Sequence, residues 1–428
     1  MGNFCKTSAG RGTGMRHFLF IGTLLVIVLR PFFAERIYPN YFFFYAWMVL
    51  LLGLLHWIFH PRTRQLLTHP LMRVWWLWVI LVIGSLWTHP SARFDWQKWA
   101  SFTLNGIFFL LSASYAQDHS NRQWLIAALL GAFLGTMVLV SLQWSVIFPY
   151  LKIRLNEWIL SSSDRGYLED FLSRKRILGP FFSPDLFASY LVMIFFVSMA
   201  FLLEMKKKFF TVIPLAVIVG LFLTRSLGAW VALTAGLILL SKLQPRLRFV
   251  LHGAIILLLW VGMVLWIQRA MGISQAGSLH HSVVQRLHFW KSSWEMFCYS
   301  PFWGVGFTRF GDVYPFFQGS GAFETRYAHN IILHLLAEFG LIGGIWFFYW
   351  MVVFVHTAKQ SLKESSENNL LTHKMLLVAL IVFFIHNLVD FSFSIPQVSD
   401  HWWIIAGLLQ NSNESSGLHR HSSLVLAR

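Results

Sequence analysis

Arg326–His356, RYAHNIILHLLAEFGLIGGIWFFYWMVVFVH, decides the fold. From Ile331 onward the run is apolar and long enough to cross a bilayer, whose roughly 30 Å hydrocarbon core takes about 20 helical residues. Directly in front of it stand an arginine, a tyrosine, a histidine and an asparagine. Lipid offers such groups no hydrogen bonds, so polar residues at the mouth of a span need a protein or ligand partner.

Runs of this kind recur along almost the whole chain. Of 428 residues, 56% are hydrophobic, 17% aromatic and only 12% charged, with a mean hydropathy of +0.58. The expected fold is all-α: a polytopic integral membrane protein forming a single membrane domain over 1–428, with no soluble domain left over. About twelve spans are expected, over 17–34, 41–59, 71–87, 98–115, 123–149, 186–204, 208–223, 227–241, 249–268, 331–356, 373–390 and 399–411. Trp75, Trp76, Trp78 and the Tyr38/Tyr41 pair suit interfacial belts. The first apolar segment lacks a small-residue cleavage site and reads as a retained span.

Charge gives the orientation. Alternate short loops are basic (Arg62, Arg64 and Arg73; Arg122; Lys206 to Lys208; Lys242, Arg246 and Arg248; Lys359, Lys363 and Lys374). The positive-inside rule assigns these and both termini to the cytoplasm. The net charge of +16 is thereby explained by topology and contact with anionic lipid, and no basic patch calls for nucleic acid. Cys5 and Cys298 fall on opposite sides in this arrangement, so no disulfide framework is expected.

Two outward loops break the pattern. The first covers 150–185 and the second 269–330, and they carry Lys152, Arg154, Arg165, Arg174, Lys175, Arg176, Arg286, Arg309 and Arg326. Long loops escape the charge rule, yet arginine kept on the translocated side also suits an anionic ligand. Within the second loop, Val283, Leu287, Trp290, Trp294 and Phe297 recur at helical spacing and make one apolar stripe. Gln285, His288, Ser292 and Glu295 fall opposite. This is an amphipathic helix lying on the membrane or capping the bundle. Arg286 projects about 60° from the centre of the stripe, where a snorkelling cation or a ligand-binding one would sit. SPFWGVGFTRFGDVYPFF, 300–317, follows as a compact aromatic loop broken by glycines.

Asn330 is the expected N-cap of the next span, which would set His329 near the positive end of that helix, where anions are favoured. Arg176 precedes a Gly-Pro turn, and Pro184 and Asp185 open the following span. Arg225 occupies a connection so short that it must lie close to the bilayer, where a bound phosphate or a helix C-terminus would satisfy it. Asp390 and His386 stand one helical turn apart; they read as a buried structural pair, or as an arrangement in which Asp390 orients an arginine or the acceptor. Glu338 reads as pairing within the bundle. No outward loop has the paired carboxylates of a divalent-cation site, and His280-His281 lacks a carboxylate partner. No metal and no cofactor is expected.

These residues resemble the O-antigen ligase and polymerase superfamily of lipid-linked glycan transferases. The likeness rests on RLHFWKSSWEMF, SPFWGVGF and AHNIILHLLAEFGLIGG between Arg286 and Gly344. LGPFFSPDLFASYL is similar to the family's glycine–aromatic–proline turn, with Asp185 where asparagine is more usual. LTRSLGAW is similar to its Ser-Arg-Gly-Ala element, although Arg225 follows Thr224 and is two residues from Gly228.

The resemblance implies a GT-C-like glycosyltransferase in the bacterial inner membrane, working on its periplasmic face. The donor would be an undecaprenyl-diphosphate-linked glycan and the acceptor lipid A-core. Arg176, Arg225 and Arg286 match the arginines expected to grip the diphosphate, and His329 the catalytic histidine, with Asn330, Arg326, Trp290 and Asp390 as supporting residues. En bloc O-antigen ligation with inversion leads. Alternatives are an O-antigen or exopolysaccharide polymerase using the same donor, a protein-glycosylating member and, from another class, a secondary transporter for an anionic solute. His329 would serve as general base or assist the leaving phosphate.

Overall fold

A computed structural model describes residues 4–34, 39–89, 96–155, 157, 172, 175–248, 252, 253, 255 and 277–410. Among these, every regular element is helical. In chain order the helices are α1 (Phe4–Leu29), α2 (Pro39–Phe59), α3 (Pro61–Leu66), α4 (Pro70–Thr88), α5 (Trp96–Tyr115), α6 (His119–Leu142), α7 (Phe148–Arg154), α8 (Pro184–Met205), α9 (Val212–Thr224), α10 (Leu227–Leu243), α11 (Gly277–Tyr299), α12 (Phe310–Val313), α13 (Ile331–Glu364), α14 (Glu367–His386) and α15 (Pro396–Leu408).

Seven described helices are long and apolar enough to cross a membrane: Gly14–Phe32, Asn40–Phe59, Pro70–Thr88, His119–Arg154, Pro184–Met205, Ile331–Glu364 and Glu367–His386. Phe209–Thr224 and Leu227–Leu243 are apolar but shorter. The expected spans at 98–115 and 399–411 correspond to α5 and α15, which fall outside that set for two physical reasons. α5 carries Lys98, Asn105, Ser101, Ser112 and Ser114, and α15 has 13 residues, about 20 Å of helix. They lie against each other, Ser399 Oγ reaching Asn105 Oδ1 at 3.5 Å, so their polar atoms are answered by protein and not by lipid. The span expected at 249–268 and parts of both long loops, including Arg165 and Arg174, lie outside the described residues.

Local sequence sets the helix ends. Ser183 caps α8, its hydroxyl accepting from Asp185 N–H at 3.3 Å ahead of Pro184. Asn330 caps α13 by accepting from both Ile332 and Leu333 N–H at 3.0 Å. α13 has 34 residues, about 50 Å of helix, so part of it stands outside a hydrocarbon core of about 30 Å.

α13 breaks at Gly340, whose φ is +61°. The loop SPFWGVGF docks into the break: Val305 and Gly306 N–H donate to the Ala337 and Glu338 carbonyls at 2.8 and 2.9 Å, and Leu341 N–H donates to Pro301 O at 2.7 Å. A side chain on Gly304 would overlap the Glu338 backbone, so both glycines are needed for this approach. Glu338 accepts from Phe310 N–H at 3.3 Å and lies 3.7 Å from His334. It pairs inside the bundle, as its sequence position suggests.

The bundle's two ends carry different chemistry. At one end Arg122 of α6 gathers Asn369 (2.8 Å), Glu204 (3.5 Å), His119 (3.0 Å) and His373 (3.3 Å), while Lys374 donates to Leu243 O at 2.7 Å. These contacts join four of the segments expected on the cytoplasmic side. At the other end, Arg30 and Asp400 form a fully buried ion pair, with the Arg30 guanidinium 5.8 Å from the Tyr45 ring. Exposed Phe44, Trp47, Ile80, Trp87 and Phe348 leave an apolar outer surface of the kind lipid covers. Trp76 and Tyr41 share that surface, but Trp75 and Trp78 do not belong to an interfacial belt. They are buried, Trp78 because α13 covers it with Phe339 and Trp346, and Trp75 because it lies against Gly106 of α5. Tyr38 lies outside the described residues.

Candidate functional site

At the end opposite Arg122, the amphipathic helix α11 lies along α13 with its faces reversed from a simple amphipathic reading. Gln285, Ser292, Ser293 and Met296 are buried, and Val283, Leu287 and Trp294 are about half exposed. The reason is hydrogen bonding. Gln285 donates to Gly321 O (2.9 Å) and accepts from Phe323 N–H (2.7 Å), and Ser292 donates to Phe317 O (2.8 Å). The polar side thus satisfies the loop backbone, and the apolar stripe is turned outward.

This packing brings α11 to His329. Trp290 Nε1–H donates to the His329 carbonyl at 3.3 Å, and the imidazole sits between Phe289 (5.4 Å, stacked) and Phe391 (4.7 Å, edge-on). His329 has φ +52°, a left-handed conformation uncommon for a side-chain-bearing residue. Its Nδ1 is buried without a hydrogen-bond partner among the described residues. Burial pushes the imidazole pKa down to about 4; Asp390 and Asp185 oppose that shift and Arg286 adds to it. At pH 7 the ring is therefore neutral and can accept a proton.

The junction of α13 with α14 is latched by two asparagines. Asn330 Nδ2 donates to Leu388 O at 3.0 Å and Ile331 N–H to Asn387 O at 2.9 Å, while Asn387 accepts from Phe393 N–H at 2.6 Å. His386, at the last turn of α14, lies 3.4 Å from Asp390, both almost fully buried. α14 ends at His386, so Asp390 meets it from the following turn, held by the Ser392 hydroxyl. A Cβ on Gly228 would stand 3.4 Å from the His386 ring, so the start of α10 rests directly on that histidine.

Arg176 completes the ring of elements. Its Nε donates to Thr224 O at 2.8 Å and its Nη2 reaches Asp185 Oδ1 at 3.2 Å, the pair about a quarter exposed. Asp185 is also bonded to Ser226 and lies within electrostatic reach of Arg286 and His386. Arg286 in turn acts on His329 and His386. Four segments distant in sequence, 176–185, 286, 329 and 386–390, therefore come within electrostatic reach of one another through Arg176, Asp185, Arg286, His329, His386 and Asp390.

Two expected members stand differently. Arg225, the left-handed C-cap of α9 (φ +53°), is exposed one residue beyond the carbonyl that Arg176 holds. Arg326 is exposed and packs over Gly311, and none of the contacts joining the network involves it. The sequence marks His386 only as the partner of Asp390 and leaves Asn387 unmarked, although the two repeat the His-Asn dipeptide of 329–330 at the end of another apolar run. Among the described residues no group of three or more His, Cys, Asp or Glu is placed to hold a metal ion.

A protein-family model described as O-antigen ligase matches residues 212–348. That match supports the likeness to the O-antigen ligase and polymerase superfamily over 212–348. No curated protein matches it. Members of the superfamily are glycosyltransferase-like ligases and polymerases, and the match, with the apolar helices, supports an enzyme of that general kind held in a membrane. The matched stretch runs from the start of α9 into α13 and contains Arg225, Arg286 and His329. Arg176 and Asp185 lie upstream of it, and His386 and Asp390 downstream. The network described above crosses both limits of the superfamily match.

Proposed function

We propose that the protein is an O-antigen ligase, transferring an undecaprenyl-diphosphate-linked polysaccharide en bloc to lipid A-core at the periplasmic face of the inner membrane, with inversion and without metal. In this reading it spans the membrane about twelve times, with both termini cytoplasmic. The observation that carries the reading is the meeting of Arg176, Arg286 and a neutral His329 at one end of an apolar bundle.

The chemistry follows from those groups. The acceptor hydroxyl attacks the anomeric carbon; the new C–O bond forms as the bond to the diphosphate oxygen breaks, inverting the centre. His329 takes the hydroxyl proton, a role its uncharged imidazole suits and one worth typically 10²–10⁴-fold in rate. The bond's electrons leave with the diphosphate, whose growing charge fixed guanidiniums stabilise best in the transition state. Arg176 and Arg286 stand for this task, with Arg225 exposed beside them to reach the same headgroup. Asp185 and Asp390 hold the cations in place and share the charge of the imidazole once it is protonated; Asn330 and Trp290 hold the His329 backbone.

Purified protein tests the reading directly. It is expected to transfer glycan from undecaprenyl diphosphate to lipid A-core in detergent, without an ion gradient and with EDTA present. Solute uptake into liposomes without glycan transfer overturns it. In cells, a deletion strain is expected to lose all O-chains and accumulate lipid-linked polymer; retention of one repeat unit on the core would identify a polymerase instead.

A further inference from the structure

α6 continues past Leu142 into a π-helical turn, Gln143–Ile147, before α7 begins. Such turns are rare and concentrate at functional sites. Around it Leu142, Trp144, Val146 and Ile147 are all exposed, as lipid-facing residues of a span should be, and Gln143 alone turns inward. A polar amide at this depth needs a partner, and it has three hydrogen bonds to one peptide unit and its neighbour. Gln143 Oε1 accepts from Leu178 N–H (3.2 Å) and Gly179 N–H (3.1 Å), and Nε2 donates to Gly179 O (2.7 Å). Both edges of the carboxamide are used, so neither a carboxylate nor an apolar side chain can replace it fully.

The same strap is held from two further sides. Gln397 of α15, almost fully buried, donates to Pro180 O at 3.2 Å and also to Pro31 O. Ile177 N–H donates to Leu223 O at 3.3 Å, next to the Thr224 carbonyl that receives the Arg176 side chain. Three elements far apart in sequence thus fix 177–180, and Arg176 is the residue entering that anchored segment.

We infer that Gln143 and Gln397 are positioning residues: they clamp the 177–180 backbone so that the Arg176 guanidinium is pre-set for a polyprenyl diphosphate. The inference rests on the diphosphate reading of Arg176 above. A merely structural clamp would stabilise the fold without coupling to Arg176, and this separates the two roles. Misplacement of a binding group by about 1 Å costs up to about 10²-fold.

The test is the affinity of full-length protein in nanodiscs for undecaprenyl diphosphate itself. Gln143→Met, of similar volume, is expected to weaken binding about tenfold or more, with unchanged gel-filtration behaviour. Gln143→Glu, which keeps the two acceptor contacts, is expected to fall between Met and wild type, and carries the comparison if the Met variant fails to fold. In an Arg176→Ala background the same change at 143 is expected to alter affinity less than about twofold, whereas in an Arg286→Ala background its full effect persists. Equal effects with and without Arg176, or wild-type affinity in a folded Gln143→Met protein, overturn the inference. Wild-type affinity of Arg176→Ala alone would instead overturn the diphosphate reading of Arg176, and the clamp's proposed purpose with it.

Discussion

Acidification is the sharpest test of His329. A solvated imidazole has an ordinary pKa near 6.5, whereas burial holds this one at about 4. If the neutral ring takes the acceptor proton, an ordinary histidine would leave only about 9% of the enzyme competent at pH 5.5, while His329 would leave about 97%. The acid limb of kcat/KM, which reports the free enzyme, should therefore be flat from pH 8 to about 5.5 and reach half near pH 4. The same shift acts on stability. Between pH 6.5 and about 4 the unfolded chain binds a proton that the folded one refuses. Stability present above pH 6.5 is therefore lost as pH falls, by about 1.4 kcal/mol per unit and about 3 kcal/mol in all. Initial rates after brief exposure to each pH, with recovery measured on return to pH 7.5, separate protonation from unfolding. A reversible acid limb centred near 6.5 would show that the imidazole is not desolvated as described, and would remove the physical basis for its role as base.

Two further perturbations probe the scaffold. Gly304→Ala puts a Cβ against the Glu338 backbone at φ +67°, so the loop carrying Val305 to Phe310 should leave its seat; a melting temperature within a degree or two of wild type would refute the docking. Arg30→Met removes the cation beside fully buried Asp400 and should destabilise by about 3–5 kcal/mol, whereas the double change Arg30→Met with Asp400→Leu should recover most of that loss. Equal destabilisation by single and double variants, read from thermal unfolding in detergent, would show that charge burial is not what the pair balances.

Much of the fold was legible because lipid imposes a simple rule: apolar stretches of fixed length span, and charged loops sort by side. Arg122, Lys374 and Glu204 lie at one end and Arg176, Arg286 and His329 at the other, the latter two arginines in the loops that depart from that rule. Where helices face protein the rule loses force. α5 and α15 mix serine, asparagine and charge with apolar residues, and their hydropathy does not reveal how they pack. Trp78 looked interfacial because hydropathy cannot tell an aromatic that faces lipid from one that α13 covers. The face of α11 was likewise hidden, since nothing local announces that Gln285 and Ser292 will be needed by the backbone of 317–323.

The sequence by itself determined that this is a chain of many apolar helices, that Asn330 starts a helix, and that arginines and a histidine crowd the two long loops. Those properties are set within one helical turn or one bilayer thickness. Only the tertiary structure decided that His386 joins His329, that Gly228 makes room for it, that Arg326 stays apart, and that Gln143 reaches Gly179 across 36 residues. Such contacts arise from packing between helices distant in the chain, and a hydrogen bond made across that distance leaves no periodicity to read.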